Sequence, residues 1–269
     1  MNRIQRVMAN ASTRTLMAAA GFALLGLMGC AATPPDRLAR AAPAAGTEEA
    51  RAIRPFSSGK LVNGNGGWSD WAFHPTKPAT RYRLVEQDGA HVLEARADSS
   101  VSGLMHPVNL DPLRKPMIEW RWRIDGTLDG ADIGERHADD SPARIVLSFD
   151  GDPSALPLKE QMFAERVKLI TGQEMPYATL MYVWDNQRAP ETVTPNAHTS
   201  RVRKIVVQSG SDGVRSWKVY QRDIVADFTR AFGEPPGKLI AVGVMTDSDN
   251  TKQKARCLYG DIRLLERQP

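Results

Sequence analysis

Apolar and polar residues alternate along most of the chain after residue 80, which is typical of half-buried β-strands. In residues 117–125 every second residue is large and apolar and the residues between are charged: Ile118, Glu119, Trp120, Arg121, Trp122, Arg123, Ile124, Asp125. Residues 82–97 predict a hairpin, because Asp88-Gly89 suits the positive φ of a two-residue turn. Turn-forming residues bound most of the other predicted strands, at 144–150, 178–184, 202–209, 217–222, 239–246 and 257–265.

Two segments have the spacing of a helix instead. Apolar residues recur at helical intervals in residues 158–170, and Gly172 ends the pattern. Asp223 is suited to cap the N-terminus of a short second helix, which Gly233 ends. About eight strands with one or two short helical insertions predict a mainly β fold, a two-sheet β-sandwich of jelly-roll type.

The N-terminus has the pattern of a bacterial export signal. Arg3, Arg6 and Arg14 precede an apolar stretch, residues 16–28, that is too short to span a bilayer. It ends at Gly29-Cys30, which is similar to the site at which lipoprotein precursors are cleaved to leave an acylated cysteine.

We therefore predict a lipoprotein signal peptide (1–29), lipidation at Cys30, an Ala- and Pro-rich tether (30–55) and one β-sandwich domain (56–269). The expected location is the periplasm, with the domain attached to the outer membrane through the lipid. An ordinary signal peptide cut near Ala31 is the alternative.

Charge and cysteine content narrow the function. The net charge is +4, but the three N-terminal arginines have no acidic neighbour within the first 29 residues, so the remainder is nearly neutral and no nucleic-acid partner is expected. The second of the two cysteines, Cys257, lies in a strand-like stretch and is expected to be a buried apolar residue. No H-E-x-x-H, G-x-S-x-G or paired C-x-x-C motif occurs, so we assign no catalytic residue.

Two acidic clusters are candidates for binding. Asp139 and Asp140 precede Arg144, where they would bind a cation, orient a sugar or pair with the arginine. Asp247 and its neighbours place oxygen donors where a predicted strand ends, the chemistry that Ca²⁺ prefers, although such residues also form simple turns. The candidate ligands of a structural Ca²⁺ are Asp247, Asp249 and Asn250, and no other cofactor is expected.

Arginine and aromatic residues suggest a third site. If Trp120 and Trp122 fill the core, Arg121 and Arg123 lie on the opposite surface. Rings interleaved with guanidinium groups would suit an acidic glycan, although strand aromatics are more often core residues. The predicted ligand-binding residues are Asp139, Asp140, Arg144, Trp184, Asp185, Arg222 and Asp223.

Five motifs in this order resemble one known family. They are Asp139-Asp140-Ser141-Pro142-Ala143-Arg144, Tyr182-Val183-Trp184, Arg222-Asp223-Ile224 with Asp227-Phe228, Thr246-Asp247-Ser248-Asp249-Asn250-Thr251, and Tyr259-Gly260-Asp261-Ile262. Together they resemble the bacterial exported domain of unknown function family 3047, over about residues 56–265. The resemblance implies export and one β-rich domain, and it brings no activity or catalytic residue.

These observations favour a lipid-anchored periplasmic binding module, with an envelope or acidic glycan as its ligand. Two alternatives stay open. One is a hydrolase or lyase acting on polysaccharide through Asp139, Asp140 or Asp185, and the other is a structural subunit of an envelope complex.

Overall fold

The computed structural model describes residues 52–61, 67–72 and 74–267, and most of this part of the chain forms two β-sheets. Across the seven-stranded sheet the order is β1 (Ser69–Ala72), β4 (Val101–Leu110), β11 (Leu239–Asp247), β6 (Ser141–Phe149), β7 (Ala178–Asp185), β9 (Val202–Ser209) and β8 (Val193–Pro195). Across the six-stranded sheet it is β10 (Lys218–Asp223), β5 (Met117–Ile124), β12 (Lys254–Tyr259), β3 (Ala90–Asp98) and β2 (Arg81–Gln87), with β13 (Arg263–Leu265) paired to β5. Neighbouring strands are antiparallel apart from β7 and β9.

The core lies between the two sheets, where aromatic side chains meet. Trp120 and Trp122 of β5 are fully buried on the inner face, as their alternation with charged residues predicts. The Trp120 ring stacks on Tyr182 of β7 with ring centroids 5.0 Å apart, which joins the two sheets. The protein is therefore a mainly β, two-sheet sandwich of jelly-roll type, as predicted.

Both predicted helices are present. α1 (Leu158–Thr171) ends at Gly172, which has the positive φ that glycine favours. α2 (Ile224–Phe232) begins at Asp223, whose carboxylate accepts hydrogen bonds from the amides of Val225 and Ala226. The hairpin of β2 and β3 turns at Asp88-Gly89, both with positive φ.

The sequence pattern misses or misplaces several strands. β4 contains Gly103 and Pro107, which interrupt its pattern, and β1 and β8 are too short to show a period. The stretch predicted as one strand at 257–265 is two, because Gly260 and Asp261 separate β12 from β13.

The predicted signal peptide and Cys30 lie outside the described residues. Of the predicted tether only residues 52–55 are described, and here the Arg54 amide donates to His106 Nε2 while Trp68 Nε1 donates to the Arg54 carbonyl. No helix in the described part of the chain is long and apolar enough to cross a membrane. Cys257 is a free, buried thiol on the inner face of β12, and burial raises its pKa, so it is not a reactive nucleophile.

Candidate functional site

A cavity lies on the outer face of the seven-stranded sheet, away from the core. Its floor consists of side chains that four neighbouring strands direct outward: Met245 of β11, Arg144 of β6, Met181 of β7 and Lys204 of β9. Its volume is about 390 Å³, which is within the range of small-molecule sites.

Helix α1 forms the roof of this cavity. Phe163, Val167 and Ile170 line it from above, whereas Leu169 is 87% exposed on the other side of the helix. A single buried carboxylate, Glu160, ties the helix to the chain before β9. It accepts hydrogen bonds from Thr199 Oγ1 (2.5 Å) and from the amide and hydroxyl of Ser200 (3.0 and 2.8 Å).

Arg144 is the centre of a charged network in the floor. Its Nε and Nη2 donate to the two carboxylate oxygens of Asp247, at 2.9 and 3.0 Å. Nη2 also donates to Asp139 Oδ1 at 3.1 Å. Arg144 and Asp247 are each 2% exposed, so this is a buried, two-pronged ion pair that shares its cation with a second carboxylate.

A lysine completes the network. Lys204 is 1% exposed, and its Nζ donates to Asp139 Oδ2 and to the Ile133 carbonyl, at 2.5 Å in each case. Sequence reasoning missed Lys204. The available indication is that Lys204 lies between Val202 and Val206 on one face of a predicted strand, a position that is usually apolar.

Asp140 has a different role from Asp139. One of its oxygens accepts from the Asn250 amide and side chain, and the other accepts from the Thr251 amide and hydroxyl at 2.6 and 2.7 Å. The carboxylate is 1% exposed and fixes the turn that follows β11. Asp140 therefore stabilises the loop beside the cavity and does not line the cavity itself.

The predicted Ca²⁺ ligands lie close together but already have protein partners. Asp140, Asp247 and Asp249 each offer an oxygen within 4.8 Å of the others. Asp247 accepts hydrogen bonds from Arg144, and Lys77 Nζ lies 2.5 Å from Asp249. The side-chain nitrogen of Asn250 donates to Asp140, so its oxygen is not turned toward the carboxylates. This arrangement favours ion pairs over a metal, and Ca²⁺ binding stays a prediction.

The charges in the floor shift the proton affinities of its carboxylates in opposite directions. Burial raises the pKa of Asp247 to about 7 against the opposing effect of Arg144, and Asp140 and Asp139 raise it further. Burial also acts to raise the pKa of Asp139, but Arg144 and Lys204 outweigh it and hold that pKa below its usual value. The floor therefore keeps Asp139 ionised and lets Asp247 take up a proton near neutral pH.

The rim of the cavity carries one arginine, Arg136, together with Lys77 and Glu174, which pair with Asp249 and Lys168. A second arginine, Arg166, is outside the lining and lies over the Phe163 ring with 5.5 Å between Cζ and the centroid. Neither arginine makes an ion pair with a described residue. Burial lowers the pKa of His198, which stacks on Phe163, and Arg136 and Arg166 lower it further.

The other predicted ligand residues lie elsewhere. Trp184 is fully buried in the core, where its Nε1 donates to the Gly210 carbonyl. Asp185 accepts from the amides of Ile133 and Arg188 and fixes loops beside the floor. Of the predicted set, the structure brings together only Asp139, Asp140, Arg144, Asp247, Asp249 and Asn250.

Arg222 belongs to a second ion-pair group, near α2. It donates to Asp227 Oδ2 at 2.8 Å and to Glu191 Oε1 at 2.7 Å. Asp223 caps α2 and pairs with Arg267. Neither residue lines the cavity.

The fold and the site define a jelly-roll sandwich with a roofed, partly charged cavity on the outer face of one sheet. The chain belongs to a family of proteins of unknown function, DUF3047, whose match spans residues 66–263 and includes the whole charged floor. This confirms the resemblance seen in the sequence motifs.

Comparison with other proteins adds little about activity. No match to a curated protein is found. Among solved structures, a loop-swap mutant of Xyn11A from Necallimastix patriciarum is similar, with 10% identity and a TM-score of 0.29 over 75% of this chain and 90% of that one. A TM-score of this size supports no functional inference.

Proposed function

We propose that this protein is an exported, lipid-anchored binding module of the cell envelope that holds a small anionic molecule with an apolar portion. The observation that carries this proposal is the cavity under α1, which combines apolar walls with an arginine, Arg136, that has no acidic partner among the described residues. Export and anchoring to the outer membrane are supported by the N-terminal sequence with Cys30.

The walls of the cavity favour an apolar portion of the ligand. Nine of the residues that line it are large and apolar, and they come from the sheet, the helix and the segment after the helix: Trp71, Val101, Phe163, Val167, Ile170, Met175, Met181, Val202 and Met245. Methionine side chains adapt to the shape of what they contact. Burying a chain of methylene groups here would be worth about 0.8 kcal/mol for each group removed from water.

The rim favours an anionic group on the ligand. Arg136 lines the cavity and has no acidic partner among the described residues, so a carboxylate or phosphate at the mouth would gain charge-assisted hydrogen bonds from it. The acids of the floor would not repel it strongly, because Arg144 and Lys204 neutralise them.

The floor is better suited to binding than to catalysis. Asp247 accepts hydrogen bonds from Arg144 and from the Ser141 amide, and both oxygens of Asp139 accept from cations. A general acid or base needs a free path for its proton to the substrate. Because both oxygens of Asp139 and both oxygens of Asp247 accept hydrogen bonds from protein donors, neither carboxylate faces a substrate directly, and the polysaccharide-acting enzyme is the weaker alternative.

The test is a calorimetric titration of the full-length protein in detergent with decanoate and with decanol. We expect saturable binding of decanoate with one site per chain, and binding of decanol that is about tenfold weaker or more, because the alcohol lacks the charge that Arg136 would pair with. Arg136→Gln should reduce this preference and leave decanol binding unchanged.

A pair of helix variants locates the site. Val167→Trp places an indole in the cavity and should abolish decanoate binding, whereas Leu169→Trp places the same group on the exposed side of α1 and should have no effect. Equal binding by wild type and Val167→Trp would refute the proposal, as would equal affinity for decanoate and decanol.

A further inference from the structure

We propose a second binding surface, on the outer face of the six-stranded sheet, whose ligand is an acidic polysaccharide, a chain with repeated carboxylates. It is separate from the cavity under α1 and uses none of its residues. We call this surface the arginine face. It consists of six arginines at outward-facing positions of β2, β3, β12 and β5: Arg81, Arg83, Arg96, Arg121, Arg123 and Arg256.

One buried carboxylate organises the face. Glu94, whose side chain is 1% exposed, accepts from the Nε of Arg83 at 2.6 Å and of Arg256 at 2.7 Å, and the Nε of Arg96 lies 2.9 Å away. Arg83 and Arg96 are nevertheless 64% and 54% exposed. Glu94 thus holds guanidinium groups in fixed positions with donors left for solvent or a ligand, which reduces the entropy lost on binding.

The positive charges of the face exceed its negative ones. Arg81, Arg96 and Arg256 follow one another across β2, β3 and β12 in register. Arg81 is exposed and makes no ion pair with a described residue. Together with Arg83 and Lys254 this gives five cations against three acids, Glu94, Asp98 and Asp125.

The row of arginines borders a groove of about 700 Å³. Arginine rows across strands repeat at a spacing of about 4.8 Å, so successive guanidinium groups can meet successive anionic groups of one extended chain.

An aromatic platform extends the face beyond the groove. Arg121 lies over the Trp217 ring with 4.7 Å between Cζ and the centroid, and Trp217 Nε1 donates to Asp88 Oδ2 at 3.3 Å. Arg123 is the neighbouring outward residue on β5, and its Nε is buried without a hydrogen-bond partner among the described residues. A ring next to guanidinium groups suits a sugar that carries a carboxylate.

The groove favours a polysaccharide over a membrane surface. Membrane-surface binding needs apolar side chains that insert between lipids. Besides its charged residues, the groove is lined by small ones only: Pro78, Ala79, Ala97, Ser100, Gly126 and Ala255.

The test compares polygalacturonate with its fully methyl-esterified form, which has the same backbone without charge. In calorimetry with full-length protein at low salt, we expect binding of polygalacturonate and none of the ester. Arg81→Ala/Arg83→Ala should weaken polygalacturonate binding about tenfold or more, because each lost guanidinium removes a charge-assisted hydrogen bond. Lys159→Ala, which removes an exposed charge from α1, should weaken it less than twofold.

Far-UV circular dichroism with a thermal melt is the check on folding, and Arg81→Ala/Arg83→Ala should keep the wild-type spectrum and a cooperative transition. If that variant and Lys159→Ala bind polygalacturonate equally, the arginine face is not the site. Equal binding of polygalacturonate and its ester would also overturn the proposal, as would stronger binding to phosphatidylglycerol vesicles than to polygalacturonate. Arg81→Ala alone is a second variant with less risk to folding.

Discussion

Glu94 is a single carboxylate that stabilises the outer face of the six-stranded sheet through three arginines. Burial acts to raise its pKa, but hydrogen bonds from Arg96, Arg83 and Arg256 outweigh burial and lower the pKa to about 2. A lowered carboxyl pKa means that the ionised form contributes to the stability of the folded state.

We expect Glu94→Gln to reduce the free energy of unfolding at pH 7 by about 2 kcal/mol, after allowance for the exposure of the arginine partners. Because the folded-state pKa lies below the ordinary 4.5, this difference should be constant above pH 4.5 and disappear as the pH falls toward 2. Urea unfolding at several pH values measures it. Glu119→Gln, on the same sheet face but 3.6 Å from its partner Arg263, should have little effect. A Glu94→Gln difference that persists undiminished at low pH would contradict this account.

Asp247 has the opposite linkage, because its folded-state pKa is raised to about 7 from an ordinary 3.8. The folded state therefore binds a proton that the unfolded state releases, and this contribution to stability is lost as the pH rises from about 4 through 7. Asp247→Asn has no carboxyl group to titrate and does not show this loss. The free energy of unfolding of the wild type should therefore fall relative to that of the variant as the pH rises over this range. Denaturant unfolding at pH 5, 6, 7 and 8 tests it. Asp212→Asn, at an exposed site, should parallel wild type, and a parallel curve for Asp247→Asn would show that Asp247 does not titrate there.

At the scale of elements, α1 buries little of its own surface. Most of its residues are exposed or half-buried, and Glu160 is its buried one. We expect Glu160→Ala to increase hydrogen exchange in α1 and to weaken decanoate binding, with little change in β6 and β7, because local opening leaves the sheets intact. Exchange measured by mass spectrometry distinguishes the segments. Glu165→Ala, at an exposed position of the same helix, is the control, and unchanged exchange in Glu160→Ala would show that other contacts hold the roof.

Elements with a strict local pattern could be predicted from the sequence. β5 alternates without a break, and α2 has both its capping aspartate and its terminal glycine. β4 could not be predicted in this way, because Gly103 and Pro107 interrupt the alternation of apolar and polar residues along it. The pairing of strands is also beyond local patterns, because β11 lies between β4 and β6 although each is far from it along the chain.

The same limit applies to the site. Asp139, Arg144 and Asp247 are predictable as candidates because they are charged residues at strand ends, and two sheet neighbours bring them together. Lys204 lies on β9, which pairs with β7 in parallel, and no sequence motif links it to the acidic residues that it contacts. Trp184, in contrast, looked like a ligand residue because an aromatic in a strand has the same local pattern whether it faces a ligand or the core.

At the scale of the whole molecule, the proposed location depends on Cys30, outside the described residues. Cys30→Ser should abolish labelling with a radioactive fatty acid and leave the precursor uncleaved, because a thiolate accepts the diacylglyceryl group and a hydroxyl of far higher pKa does not. Gel autoradiography and N-terminal mapping test this. Retained label in Cys30→Ser, or a mature N-terminus after Cys30 in the wild type, would rule out the anchor.

The two sheets give the molecule two chemically distinct outer faces, one with the roofed cavity and one with the arginine face.

The central claim is that the cavity under α1 is a binding site for an anionic molecule with an apolar portion. A crystal structure of the full-length protein grown with decanoate tests it most directly. We predict the acyl chain between Val167 and Met181, with its carboxylate toward Arg136. The claim would be contradicted if decanoate bound at another surface and not in this cavity.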